Sequence, residues 1–185
     1  MLRTLPRTRD YSLAYRLAAI GAFTLLTIIS ARLTVNIGPV PITLQVLTVL
    51  LAGLVLGARD GMMSQLAYLA LIAAGFPVDS RAIGAAALFG PTAGYLIGFV
   101  PAAYVAGLLV ERGSRRMMQR WLAGVAGIAV IYTLGTLLLK LNLNMSWEAA
   151  WTAGVAPFIA LDLAKAIVAA ALAESGRALL LRQER

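Results

Sequence analysis

From Ala14 to Leu181 the chain is largely apolar, broken by short clusters of arginine and by loops holding Gly, Pro and Asn. Segments of this kind offer no polar face to water, so they must fold where both faces of a helix can be apolar. Composition agrees, with 61% hydrophobic and 13% charged residues among 185 and a mean hydropathy of +0.84, where a soluble domain carries roughly 25% charge. The expectation is an all-α membrane protein. With no polar stretch long enough for a soluble domain, residues 1–185 are read as one integral domain of the cell membrane, crossing it several times.

A helix needs about 20 apolar residues to cross roughly 30 Å of hydrocarbon. That rule predicts a six-transmembrane-helix bundle with spans from Ala14 to Leu33, Pro41 to Gly57, Gly61 to Ala74, Pro91 to Val110, Trp121 to Leu141 and Pro157 to Leu181. Pro41 suits a first helical turn, Asp60 an N-cap, and Gly75 a stop. The third span reaches only ~21 Å at 1.5 Å per residue, so another part of the chain must complete that side. The loop from Gly75 to Gly90 either connects flexibly or folds back over the short third span and closes a pocket. Between Asn142 and Ala156, Trp147 and Trp151 indicate an interfacial loop or short helix.

Charge sets the orientation. Arg3, Arg7, Arg9, Arg16, Arg59, Arg112, Arg115, Arg116, Arg120, Arg177, Arg182 and Arg185 fall on one side if there are six spans, twelve of the sixteen basic residues. Both termini are then cytoplasmic. The apolar run behind the first arginines is too long for a signal h-region, so the N-terminus is expected to be retained. Arg32 and Lys140 read as outer interfacial anchors.

Several chemistries are excluded. The chain has no Cys and no His, which removes disulfides, the usual zinc sites and His-assisted nucleophiles, an intramembrane Ser-His protease among them. No phosphate-binding Gly-x-x-x-x-Gly-Lys-Ser/Thr loop occurs, so the chain does not hydrolyse ATP by itself. The net charge of +8 is spread as topology signals, not as a nucleic-acid surface.

Against this background Asp162 and Lys165 stand out in the sixth span. Three residues apart, they share one helix face, roughly 60° apart, together with Phe158 and Ala169. Each charge costs several kcal/mol in a low dielectric unless a partner offsets it. They either satisfy each other, or Lys165 snorkels, or they hold a ligand. Gln45 and Tyr95, each about a turn into its own span, add an amide and a phenol at similar depth. This set suits a small amphiphile with a hydrogen-bonding head and a negative end. It holds no nucleophile with a matching base, so binding fits better than turnover, with no metal and no catalytic residue expected. Two seams of small residues repeat every four positions: Gly94, Gly98, Ala102 and Ala106 suit packing within the bundle, and Ala14, Ala18 and Ala22 either packing or a partner subunit.

The stretches Gly38-Pro-Val-Pro-Ile-Thr-Leu-Gln45, Leu51-Ala-Gly-Leu-Val-Leu-Gly57 with Arg59 and Gly61, Gly75-Phe-Pro-Val78, Gly90-Pro-Thr-Ala-Gly-Tyr-Leu-Ile-Gly-Phe99 and Pro157-Phe-Ile with Asp162-Leu-Ala-Lys165 occur in this order. The chain thereby resembles the BioY family, substrate-binding S components of energy-coupling factor (ECF) biotin transporters. The resemblance implies a six-helix S component binding biotin on its outer side. It also implies a transmembrane coupling component and two ATPase subunits as partners, with ATP used there and no cofactor in this chain. It carries ligand contact onto Asp162 and Lys165, onto Gln45 and Tyr95, and docking of the coupling component onto Ala14, Ala18 and Ala22. After Val78 the sequence departs from the family pattern with Asp79-Ser-Arg81-Ala-Ile-Gly. Arg81 is the leading candidate partner for the ligand's carboxylate. The rivals are an S component for another vitamin, and a small membrane enzyme or scaffold using the Asp-Lys pair.

Overall fold

The computed structural model describes residues 12–113 and 116–183, with the backbone alone for 176–183. The arginines at 3, 7, 9, 115 and 185 and the side chains of Arg177 and Arg182 lie outside it. The elements are α1 (Leu13–Arg32), β1 (Thr34–Val35), β2 (Ile42–Thr43), α2 (Gln45–Ala73), a 3-10 turn at Gly84–Leu88, α3 (Ala93–Arg112), α4 (Met117–Leu143), α5 (Trp147–Gly154) and α6 (Ile159–Gln183). The fold is mostly helical. Among the described residues four helices are long and apolar enough to cross a membrane, or up to five if α5 and α6, bent by 47° where they meet, count as one span.

α2 is a hairpin of two helical segments. At Gly57 the backbone takes φ 84° and ψ −178°, a conformation open to glycine and strained for side chains. The chain reverses there: a Cβ on Gly61 would lie 2.9 Å from the Ala52 carbonyl oxygen and from the Gly53 Cα, whereas nine residues of straight helix span ~13.5 Å. The reversal brings Gln45 Nε2 to 2.8 Å from the Tyr68 hydroxyl. The two halves, residues 45–56 and 58–73, therefore lie side by side. The second helix begins with its first N–H groups unsatisfied, and Glu111 from the end of α3 accepts from the Ala58 N–H at 2.8 Å.

Two sequence expectations are corrected here. Pro41 does not open a helix: Ile42–Thr43 pairs antiparallel with Thr34–Val35, Thr34 opposite Thr43, and α2 starts at Gln45, whose N–H donates to Thr43 Oγ1 at 3.2 Å. Asp60 does not cap a helix. It is 3% exposed inside α2 and takes Arg16 of α1 in a two-pronged pair, Nη2 to Oδ1 at 2.7 Å and Nε to Oδ2 at 3.0 Å, because a guanidinium meets both oxygens of a buried carboxylate with two charge-assisted bonds at once. Elsewhere the boundaries move by a few residues: Pro91 precedes α3, α4 runs past both ends of the expected span, and the loop with Trp147 and Trp151 contains α5, capped by Ser146 Oγ on the Ala149 N–H at 3.1 Å.

Small residues close the bundle. A Cβ on Gly53 would overlap the Ala103 carbonyl oxygen, and one on Gly107 would sit 2.5 Å from the Gly57 carbonyl carbon, so α2 and α3 meet backbone to backbone. Along the other side of α3, Gly94 and Gly98 face α4, with 2.9 Å from a Gly94 Cβ to the Gly135 Cα and 3.2 Å from a Gly98 Cβ to the Ile131 Cα. Ala102 and Ala106 are fully buried in the same seam. α1 packs chiefly on α2 and does so through polar groups: Thr24 Oγ1 donates to the Ser64 carbonyl at 3.0 Å, Thr27 meets Gln65, and Ser30 meets Thr48. Its Ala14, Ala18 and Ala22 face outward.

Substituting Gly107 by Val should lower the thermal unfolding midpoint of the detergent-purified protein by the equivalent of about 1–3 kcal/mol or more, the usual cost of overpacking. Gly21→Ala, mid-helix in α1 where a Cβ meets nothing within 4 Å, should not lower the midpoint and should raise it slightly through helix propensity.

Candidate ligand-binding site

Asp162 falls in the first turn of α6, its N–H bonded to the Phe158 carbonyl oxygen at 2.8 Å. That position places the carboxylate at the positive end of the helix dipole. Lys165 follows one turn later, and its Nζ lies 2.7 Å from Asp162 Oδ1. The same ammonium donates to the Thr43 carbonyl oxygen at 2.7 Å, joining α6 to the β1–β2 hairpin. The other carboxylate oxygen, Oδ2, accepts from the Tyr132 hydroxyl of α4 at 2.7 Å. Asp162 is 3% exposed. Its charge is offset by an ammonium, a hydroxyl and a helix terminus, which is what a buried carboxylate requires.

These groups form the polar end of a cavity of about 50 Å³. Gln45 and Thr43 complete that end, while Val46, Leu96, Phe99, Ile131 and Phe158 supply apolar walls, and Val40 and Pro41 come from the hairpin and Ser80 from the loop after α2. Gln45 is 3% exposed; its Nε2 donates to Tyr68 and its Oε1 accepts from Thr43 Oγ1 at 3.2 Å. Tyr68 in turn donates to the Val78 carbonyl at 3.3 Å, so the amide is coupled to the loop after α2.

Tyr95 also lines the cavity, and three elements hold it. Its ring lies where a Cβ on Gly135 of α4 would be, and its hydroxyl donates to the Gly154 carbonyl at the end of α5 at 2.9 Å. Glycine at 135 is therefore the space that lets an aromatic ring pass between α3 and α4.

Two segments roof the cavity. The loop from 75 to 90 folds back over α2, nucleated by Asp79, whose carboxylate accepts from the N–H groups of Arg81, Ile83 and Gly84 at 2.8–2.9 Å. Arg81 is exposed at the cavity's edge and does not line it; its Nη2 donates to the Gly38 and Pro39 carbonyls at 3.0 and 2.9 Å. Arg32 donates to the Pro77 carbonyl from the end of α1. Lys140 lies 5.4 Å from the centroid of the Trp147 ring. The structure thus gathers Asp162, Lys165, Gln45 and Tyr95 around one space, sets Arg81 beside it, and leaves Ala14, Ala18 and Ala22 on a distant outer face.

Three charged residues of the same helices, Glu174, Arg120 and Glu111, lie away from this end. Counted along each helix at 1.5 Å per residue, Glu174 is ~18 Å from Asp162, Arg120 ~18 Å from Tyr132 and Glu111 ~24 Å from Tyr95. Arg120 and Glu174 pair across α4 and α6 at 2.9 Å.

A family model described as the BioY family matches residues 4–182. The chain belongs to the BioY family. It is 41% identical over 155 residues to the biotin transporter BioY of Thermotoga maritima, covering 83% of this chain and 90% of that one. To the probable biotin transporter BioY of Pyrococcus horikoshii it is 41% identical over 162 residues, 87% and 95% of the two chains. Among solved structures it matches the S-component for biotin from an ECF-type ABC transporter with a TM-score of 0.82 and 26% identity, over 94% of this chain and 95% of that one.

Sequence reasoning missed two parts of this BioY site. Tyr132 is one of six tyrosines, and nothing in its neighbours marks it; only its approach to Asp162, thirty positions on, gives it a role. The hairpin carbonyl of Thr43 carries no side-chain signal at all. The Gly38-Pro-Val-Pro run marks a constrained turn and was the available hint. Trp151, on α5, does not continue the face of Asp162 and Lys165. The break between α5 and α6 leaves it 54% exposed and outside the cavity.

Removing the Tyr95 hydroxyl in Tyr95→Phe should cost about 1 kcal/mol, the net worth of one buried hydrogen bond. Gly135→Val, which drives the ring from its slot, should cost more in the same thermal melt.

Proposed function

We propose that this BioY-family chain binds biotin as the S component of an ECF transporter and mediates biotin uptake. The observation that carries the reading is the side-by-side arrangement of a carboxylate acceptor and an ammonium donor, Asp162 and Lys165, at the polar end of an otherwise apolar cavity. A cyclic urea presents N–H donors beside a carbonyl acceptor. Asp162 accepts from the ureido N–H, and Lys165, which has three N–H donors and gives two to Asp162 and Thr43, directs the third at the ureido oxygen. Gln45 adds an amide at this end, while Phe158, Phe99 and Tyr95 hold the apolar body. Arg81, beside the opening, takes the valerate carboxylate.

The reading includes an inward position of both termini and six membrane crossings, with the two halves of α2 as separate crossings. Each half is short, ~18 and ~24 Å at 1.5 Å per residue. The β1–β2 hairpin and the 75–90 loop occupy the space left on the outer side. A cavity of about 50 Å³ must widen to take a vitamin, and the parts that yield are this hairpin and loop. Beyond their packing on the helices, they are held by side chains that donate to their carbonyls, Arg32, Arg81 and Lys165.

Uptake needs partners. The chain has no nucleotide-binding loop, so energy comes from two ATPase subunits through a transmembrane coupling component. A tightly held ligand leaves only when another conformation binds it far more weakly. The outward face of Ala14, Ala18 and Ala22 lets a partner helix approach closely, and it is the docking surface for the coupling component.

Biotin affinity of the purified chain should fall at least about tenfold in Asp162→Asn and in Lys165→Ala, the loss of one charged hydrogen bond being worth about 1.5–3 kcal/mol. Unchanged affinity in both removes the site assignment. Ala18→Trp should leave biotin binding intact and abolish most uptake by the complete complex; normal assembly of the complex with this variant would sink the docking surface.

A further inference from the structure

The Asp162 carboxylate is held from two helices. Lys165, on α6 itself, takes Oδ1, and Tyr132, on α4, takes Oδ2, each at 2.7 Å. Those two bonds leave one lone pair on each oxygen, and they determine which direction the open ones face. The ammonium alone cannot do this: it lies one turn along the same helix, and a carboxylate can rotate about its χ2 torsion, which is broad, while keeping one bond to a neighbour. A second bond, from a different helix and to the other oxygen, stops that rotation. The Tyr132 hydroxyl is well placed for the task because its ring is itself fixed. Its neighbour in sequence, Ile131, is 1% exposed in the α3–α4 contact, and Tyr132 packs on the hydrophobic core. Tyr132 lines the same cavity as Asp162 and Lys165.

We propose that Tyr132 is a positioning residue that fixes the Asp162 carboxylate so that its open lone pairs meet a ligand N–H, and thereby makes the site selective for a urea with unsubstituted nitrogens. The inference rests on the biotin-binding reading above and deepens it. Tyr132 acts through Asp162 and adds little affinity for a ligand that brings no N–H to the carboxylate. In Tyr132→Phe the ring, and with it the packing, is retained. Asp162 keeps Lys165, but Oδ2 loses its donor and the carboxylate no longer has a single orientation. The loss falls on the contact Asp162 makes with the ligand and not on the apolar walls.

The experiment is equilibrium binding of biotin and of biotin methylated at both ureido nitrogens to the purified chain, in the unsubstituted protein, Tyr132→Phe, Asp162→Asn and the double variant. The unsubstituted protein should prefer biotin strongly. Tyr132→Phe should weaken biotin about tenfold and the methylated analogue by less than about twofold, so that discrimination falls by the ratio of the two. In the Asp162→Asn background the Tyr132 substitution should weaken biotin by less than about twofold, because the group it orients is gone. Equal weakening of both ligands by Tyr132→Phe would mean a packing role, and independent effects in the double variant would mean that Tyr132 does not act through Asp162; either overturns the inference while leaving biotin binding in place. Unchanged biotin affinity in Tyr132→Phe overturns it as well. Failure of the unsubstituted protein to bind biotin would overturn the functional reading and this inference together.

Discussion

A carboxylate that is 3% exposed among Ala, Leu and Ile side chains must be offset where it stands, and the way Asp162 is offset shapes one whole end of the molecule. The first turn of α6 gives it a favourable dipole, Lys165 gives it a counter-charge, and Tyr132 brings α4 to it. Lys165, in turn, reaches the Thr43 carbonyl and so pins the β1–β2 hairpin over the cavity. A charge pair that merely satisfied itself would need neither of the last two links. The pair is both closed on itself and built into the wall of a cavity, an arrangement that suits the ligand-holding role proposed for it.

The site can be built this way because the helices behind it approach so closely. α2 and α3 meet at Gly53, Gly57 and Gly107, and α3 and α4 at Gly94, Gly98 and Gly135. In a membrane there is no hydrophobic force to press helices together, so contact between backbones supplies dispersion that larger side chains would prevent. Gly57 adds a second service, since its positive φ lets α2 reverse within a single residue and brings Gln45 and Tyr68 back to the level of the cavity. At the far end the pairs Arg16–Asp60 and Arg120–Glu174 tie the helices together again. The α1 helix differs from the rest: polar groups hold one face to α2, and its small residues face outward. Such a helix has a free face of the kind a partner subunit can use.

Much of this was legible in the sequence, for identifiable reasons. Asp162 and Lys165 were conspicuous because charge is scarce in an apolar span. The helices were visible as long apolar runs, and the seam through Gly94, Gly98, Ala102 and Ala106 as a period of four. What could not be read depended on contacts between distant positions. Asp60 beside a glycine looks like a cap; Arg16, forty-four positions earlier, makes it half of an ion pair. Pro41 looks like a helix start, yet two residues of backbone pairing with Thr34 and Val35 hold that stretch extended. Tyr132 has no local signal, and the loop after Gly75 admitted two readings until Asp79 was seen to organise it through three backbone N–H groups.

The central claim is that the cavity beneath the hairpin is a biotin site, formed by this chain without its partners. Isothermal titration of the purified chain with biotin, and with thiamine and riboflavin as vitamins of other shape and charge, tests it most directly. Saturable binding of one biotin per chain, with no heat from the other two, is the expected result. Absence of binding to biotin, or equal binding of all three, would contradict it.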